Sequence, residues 1–159
     1  MTTGILKEPL PETRVSLLPE AAATLTKQNI IIQLEKNAGT LAYAFDEAYH
    51  SKNINSFERA AILKNADIIL SIQPLSEEDI QQLKPNTILI GIYQPLYNYE
   101  LMMLWAAKNI TTFSLDMIPR TTRAQTMDVL SSQANISGYK AVLEAANIYP
   151  RYFPMFMTA

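Results

Sequence analysis

Four polar side chains in one stretch offer the most concentrated chemistry in the chain: Arg120, Gln125, Asp128 and Ser131, within P-R-T-T-R-A-Q-T-M-D-V-L-S-S. Gln125, Asp128 and Ser131 recur every third residue, so on a helix their Cβ atoms lie about 5–6 Å apart along a drifting line. A guanidinium, a carboxamide, a carboxylate and a hydroxyl gathered at a helix start can hydrogen-bond an amide or a ribose and place charge beside a ring. None of the four is a plausible nucleophile, so the chemistry on offer is orientation. The same spacing has a structural reading, in which Thr122-Arg-Ala-Gln125 is a capping box and Asp128 a solvated first-turn acid. Spacing alone leaves both open.

A second cluster is Lys7-Glu-Pro followed by Glu12-Thr-Arg14. Arg14 can clamp a carboxylate through two parallel hydrogen bonds, or pair with Glu12 or Glu20 at the surface. Tyr93, Tyr97, Tyr99 and Trp105 read as core or interface packing with phenol groups reaching water. His50, in the polar helical stretch DEAYHSK, reads as a solvated surface residue.

What the chain lacks narrows the field. It has no cysteine and one histidine, which removes disulfides, thiolate catalysis and any His-rich or Cys-ligated metal centre, so no metal is expected. Lys and Arg number 13 against 15 Asp and Glu, for a net charge of −2 with no basic run, so nucleic acid is not an expected partner. The four glycines, Gly4, Gly39, Gly91 and Gly138, form neither G-x-G-x-x-G nor a phosphate loop. A pyrophosphate would have to be gripped largely by another domain. The apolar runs IIIQL, DIILSI and TILIGIY fall far short of the ~18 residues needed to span a bilayer. Lys7, Glu8 and Pro9 interrupt the start before a signal peptide can form, so the default location is cytoplasmic.

At 159 residues, 48% hydrophobic and 18% charged, the chain suits one folded domain. Short β-branched runs alternate with amphipathic stretches, the pattern of a parallel sheet flanked by helices. Strands are expected at 3–6, 30–35, 67–72, 87–93 and 111–115, and helices at 19–28, 57–65, 76–84 and 98–108. Pro19 suits a first helical turn, and Ser76 with Asp79 marks a helix start. The expected fold is α/β, Rossmann-like (flavodoxin-like), a doubly wound and mainly parallel sheet of about five strands. Its ligand crevice should lie at the strand carboxyl ends, with Lys7–Arg14, Gln73–Leu75, Tyr93–Tyr97 and Asp116–Arg120 on that edge. The proline-free run 123–149 reads as one bridging helix of roughly seven turns, and the apolar tail 150–159 as a segment that packs on a partner or leads into a further domain.

At these same residues the chain resembles a known family. G-I-L-K-E-P…E-T-R-V-S-L-L-P and P-R-T-T-R-A-Q-T-M-D-V-L-S-S-Q-A-N-I-S-G-Y-K-A-V-L-E-A-A are similar to the N-terminal domain of the alanine dehydrogenase and nicotinamide nucleotide transhydrogenase superfamily. The likeness spans essentially the whole chain. R-A-Q and S-S-Q-A-N-x-x-G-Y resemble the NAD(H)-binding alpha subunit of proton-translocating transhydrogenase most. That resemblance implies hydride transfer between NAD(H) and NADP(H), the latter on a partner subunit, coupled to proton translocation. It assigns Arg120, Gln125, Asp128 and Ser131 to contacts with the NAD(H) nicotinamide or the bound partner domain, with Gln125, Arg120 and Asp128 nearest the chemistry. It implies residues 1–122 as a Rossmann-like domain, 123–149 as an interdomain helix and 150–159 as the start of a link to an absent NAD-binding domain. A homodimer, membrane and NADP(H)-binding partner subunits and a place peripheral to the inner membrane are implied as well, with little activity expected of the chain alone.

Two rivals remain. An alanine dehydrogenase-like domain would use Arg14 for the pyruvate carboxylate. It would also need a lysine and a catalytic histidine where the chain reads Ser71-Ile-Gln-Pro74 and Ile92-Tyr-Gln-Pro95. The other is a non-catalytic dimerisation or regulatory module.

Overall fold

The computed structural model describes residues 1–119 and 121–151. They fall into two compact units, Met1–Met117 and the segment from Ile118 onward. The first unit is a parallel sheet of six strands: β1 (Thr2–Ile5), β2 (Ile31–Glu35), β3 (Asn55–Phe57), β4 (Ile68–Leu70), β5 (Ile88–Gly91) and β6 (Thr111–Ser114). Between them run α1 (Pro19–Thr26), α2 (Asp46–His50), α3 (Arg59–Asn65), α4 (Glu77–Gln82) and α5 (Tyr99–Ala107). Parallel neighbours need crossovers of this length, because a tight turn can join only antiparallel strands.

The spatial order is β3-β2-β1-β4-β5-β6, and every pair is parallel. This is the Rossmann order rather than the flavodoxin-like 2-1-3-4-5. The two readings differ by one strand. With β3 removed, the remaining five strands stand in the flavodoxin order. β3 is only three residues, Asn-Ser-Phe, at the sheet edge, with no apolar alternation to announce it.

Adjacent residues of β1 and the loop after it feed two cores. Ile5 joins Ala22, Leu34, Tyr49 and Ile54 on one face. Leu6 joins Ile62, Leu63, Ile69, Leu89, Tyr93 and Trp105 on the other. The period-2 alternation of a strand separates them. Strands that are buried on both faces explain why the sequence shows continuous apolar runs here. Tyr93 and Trp105 meet edge to face, with ring centroids 5.1 Å apart at 87°. Tyr97 and Tyr99 are exposed, so the aromatic group splits between core and surface.

Helix starts follow their chemistry. Pro19 opens α1, and the Ser76 hydroxyl accepts the Asp79 N–H to cap α4. At the end of β5, Gly91 allows the backbone of β4 to approach. A Cβ there would lie 2.0 Å from the Ser71 carbonyl oxygen and 2.7 Å from the Tyr93 ring. Since a backbone atom cannot swing aside, Gly91→Ala is expected to cost about 2 kcal/mol, read as a lowered urea midpoint.

Among its described residues the second unit carries one α-helix, α6 (Val129–Ile148), of 20 residues. It begins six positions later than the spacing predicts. Residues Gln125–Met127 form a 3-10 turn, and Asp128 is extended at φ −77°, ψ 91°. Asp128 offers the backbone a capping partner that outcompetes continuation of the helix through it.

Candidate functional site

In the second unit a cavity of about 410 Å³ opens beside the start of α6, lined by Ile118, Pro119, Ala124, Gln125, Asp128 and Ser131. Three of the four residues singled out from sequence therefore share one wall. Arg120 lies outside the described residues, as do Tyr152–Ala159 of the apolar tail.

The path into the cavity is set by short backbone bonds. Ala124 and Gln125 donate their N–H groups to the Thr121 carbonyl at 3.0 and 3.1 Å. The Met127 N–H reaches the Ala124 carbonyl at 2.9 Å, and Ala124 itself is buried. This turn is too tight for a capping box, and the Gln125 side chain closes no helix. Its carboxamide makes no hydrogen bond to a described residue.

Asp128 instead is the N-cap. Its Oδ1 accepts the Ser131 N–H at 3.0 Å and its Oδ2 accepts the Ser131 hydroxyl at 2.6 Å. Ser132 adds a bond from its hydroxyl to the Asp128 carbonyl at 3.1 Å. The capping box expected at Thr122–Gln125 is therefore absent, and Asp128, expected as a solvated first-turn acid, is the cap. Chemically, one side of the cavity is a rigid carboxylate–hydroxyl pair, and the other is an amide that still has its donor and acceptor to give. A ligand amide or a ring bearing one matches that donor set. No glycine turn or basic side chain among the described lining residues suits a pyrophosphate.

The first unit carries a separate polar system at the strand carboxyl ends. Arg59, at the start of α3, forks onto Asp79 through Nε at 3.0 Å and Nη2 at 2.6 Å. Its Nη1 reaches Glu35 at 2.7 Å and the Lys7 carbonyl at 3.1 Å. Glu8 accepts the N–H groups of Ile72 at 2.6 Å and Gln73 at 3.0 Å. Burial raises the Glu8 pKa above its ordinary value against these two bonds. Burial also pushes the Asp79 carboxyl upward, but the Arg59 guanidinium and the cap at Ser76 bring it net below its ordinary value. Sequence reasoning singled out Lys7-Glu-Pro but missed Arg59, Glu35 and Asp79. The available signal was an acid at the last position of a strand, Glu35, ahead of a turn.

Arg14 pairs with Glu12, with Nε to Oε1 at 2.9 Å and Nη2 to Oε2 at 2.6 Å. The hydrogen bonds from Arg14 hold the Glu12 carboxyl down to about 2, from an ordinary 4.5. A depressed folded pKa adds stability above the unfolded value and loses it as pH falls toward the folded one. The contribution is therefore full above about pH 4.5 and gone near pH 2. Glu12→Gln is expected to cost on the order of 1 kcal/mol at pH 7 and to converge with the parent near pH 2 in urea titrations.

The pair borders a smaller cavity of about 280 Å³, also lined by Gln73, Gln94 and Asn98. The two stretches that would carry a lysine and a histidine in an alanine dehydrogenase-like site, Ser71-Ile-Gln-Pro74 and Ile92-Tyr-Gln-Pro95, hold neither, and no side chain in them takes or gives a proton near neutral pH. His50 is exposed, with Nε2 2.9 Å from the Ser56 hydroxyl, which itself donates to Asp46 at 3.0 Å. Because that serine proton is committed to the carboxylate, the imidazole is the donor to serine and no nucleophile is activated. Among the described residues no group of three or more acids and histidines is arranged to hold a metal. No described helix is long and apolar enough to cross a membrane.

Comparison with known proteins gives a consistent picture. The family model described as alanine dehydrogenase/PNT, N-terminal domain matches residues 4–137. The chain is 41% identical over 153 residues to an NAD(P) transhydrogenase subunit alpha chain of Rickettsia prowazekii, covering 93% of this chain and 40% of that protein. It is 38% identical over 149 residues to NAD(P) transhydrogenase subunit alpha of Cereibacter sphaeroides, covering 93% of this chain and 28% of that one. The crystal structure of transhydrogenase from Sinorhizobium meliloti superposes with a TM-score of 0.91 at 37% identity, over 100% of this chain and 48% of the other. An L-alanine dehydrogenase structure superposes with a TM-score of 0.82 at 19% identity, over 92% of this chain and 40% of the other, a likeness of fold. The chain spans less than half the length of each of these proteins.

Proposed function

The chain belongs to the alanine dehydrogenase/PNT N-terminal domain family, and on that premise we propose that it is the NAD(H)-side domain of an NAD(P) transhydrogenase. In this reading it helps move hydride between NAD(H) and NADP(H), coupled to proton translocation through separate membrane subunits. The observation that carries the reading is the open Gln125 carboxamide facing the same cavity as the locked Asp128–Ser131 pair.

The two nicotinamides, when bound, supply the hydride chemistry themselves, so the protein has no proton to move at the reacting carbon. What remains for the chain is placement. Gln125 offers donor and acceptor to a carboxamide or ribose hydroxyl, and its backbone is fixed by the Thr121 turn. Asp128 holds Ser131 in one rotamer, so the serine oxygen presents its lone pairs in a fixed direction. Arg120 is proposed to orient the neighbouring nucleotide. Preorganisation of this kind removes orientational freedom before the reaction and is where the rate gain arises.

The domain division follows the same proposal: 1–122 as the Rossmann-like body, 123–149 as interdomain connection and 150–159 as the start of the link onward. Exposed apolar side chains along α6, such as Ile136, Val142 and Leu143, support a packing surface for a following domain. That domain would grip the pyrophosphate, NADP(H) would sit on a partner subunit, and the whole would be a homodimer held peripherally at the inner membrane by its partner subunits.

The test is an assay of the complete protein with its partner subunits. NADH-dependent reduction of NADP+ supports the proposal. NADH oxidation that instead requires pyruvate and ammonia would replace it with alanine dehydrogenase, a reading disfavoured by the lack of lysine and histidine in Ser71-Ile-Gln-Pro74 and Ile92-Tyr-Gln-Pro95.

A further inference from the structure

The strand order reverses between β1 and β4, and at their carboxyl ends lies a cavity of about 530 Å³. Open α/β sheets bind ligands at that place. Its volume falls in the range of small-molecule sites. It lies wholly in the first unit, apart from the nicotinamide reading of Gln125, Asp128 and Ser131, and does not rest on it.

Its donors and acceptors are unequally spent. The Ile72 and Gln73 N–H groups, which could cradle an anion, are taken by Glu8. Arg59 is taken by Asp79 and Glu35, and the Lys7 N–H by Glu35 Oε2 at 2.8 Å. The acceptors are left over. Glu35 Oε1 and both oxygens of Glu78 accept no hydrogen bond from a described residue, although the Glu35 side chain is only 14% exposed. A phosphate entering here would meet carboxylates where it needs N–H groups. A neutral ligand bearing hydroxyl donors meets the acceptors it needs. Glu35 ends β2, the position from which an acid holds the ribose diol in Rossmann domains. Leu6, Pro74 and Leu75 supply apolar wall for a flat ring.

We propose that this crevice binds an uncharged molecule carrying a vicinal diol, a ribonucleoside without its phosphate, with Glu35 accepting from the diol. The Lys7 ammonium and the Gln73 amide, also lining the cavity, are the donors left for the base.

The experiment is residue-resolved amide NMR of the protein titrated with adenosine, with 2′,3′-dideoxyadenosine and AMP as comparators. The expected result is saturable shifts confined to Leu6–Glu8, Glu35 and Ser71–Ser76. Binding of the dideoxy compound should be at least about tenfold weaker, as the loss of hydrogen bonds to a charged acceptor implies, and AMP should bind no more tightly than adenosine. Glu35→Gln should weaken adenosine by a similar factor. Should that variant unfold for want of its bond to Arg59, the dideoxy comparison on the parent still decides. Absence of saturable shifts, equal response to the dideoxy compound, or tighter binding of AMP would each overturn the proposal. Shifts confined to Gln125–Ser131 would overturn it too, while leaving the nicotinamide reading intact.

Discussion

Arg59→Met lowers the unfolding free energy by about 3 kcal/mol in urea denaturation at pH 7, a larger loss than any other single change considered for the first unit. The reason is the asymmetry of buried ion pairs, in which removing one partner leaves the others charged and poorly solvated. Glu35 and Asp79 keep only 14% and 11% of their side chains in water. The Lys7 carbonyl loses a bond as well. Since Arg59 is itself 31% exposed, the lower end of the 3–5 kcal/mol found for breaking buried pairs is the appropriate figure. Arg59→Lys should recover only part of the loss, because an ammonium cannot fork onto Asp79 while reaching Glu35. A second change, Asp79→Asn in the Arg59→Met background, should cost little more. If Arg59→Met were within 0.5 kcal/mol of the parent, the network would be a surface pairing of no structural weight.

Gln125→Asn in the complete protein with its partner subunits lowers the rate of hydride transfer between the two nucleotides by about 10²-fold, with little change in stability. Removing one methylene withdraws the carboxamide by roughly the ~1 Å that costs this much when reacting groups are held for transfer. The fold is indifferent to it, because the side chain bonds nothing described and the Thr121 turn is made by backbone atoms. Asp128→Ala behaves differently. It removes the cap and frees the Ser131 rotamer, so it should lose rate and about 1 kcal/mol of stability together. Stopped-flow rates and urea midpoints for the two variants separate a residue that touches a ligand from one that positions its neighbour. An unchanged transfer rate in Gln125→Asn would remove that residue from the site.

The sheet was legible wherever burial forced continuous apolar runs, as in β4 and β5. β3 was not, since an edge strand of Asn-Ser-Phe satisfies its backbone by pairing while presenting no pattern. Its omission turns a Rossmann order into a flavodoxin order. The site was half legible. Spacing brought Gln125, Asp128 and Ser131 together but assigned the cap to the wrong residues. A 3-10 turn and an α-helical turn share nearly the same periodicity over four residues, and only the hydrogen bonds of Asp128 tell them apart. The Arg59 network was illegible because its members, Lys7, Glu35, Arg59 and Asp79, are distant in sequence. They converge only once the parallel order sets the ends of β1, β2 and β4 side by side.

The most direct measurement is the fate of deuterium placed at both C4 positions of NADH in the complete protein assembled with its partner subunits and given NADP+. The account predicts that the label passes to C4 of NADPH with no loss to water, since hydride moves between two placed rings without a protein acid or base. Label released to solvent, or NADPH formed without it, would contradict a domain whose task is to place one nicotinamide against another.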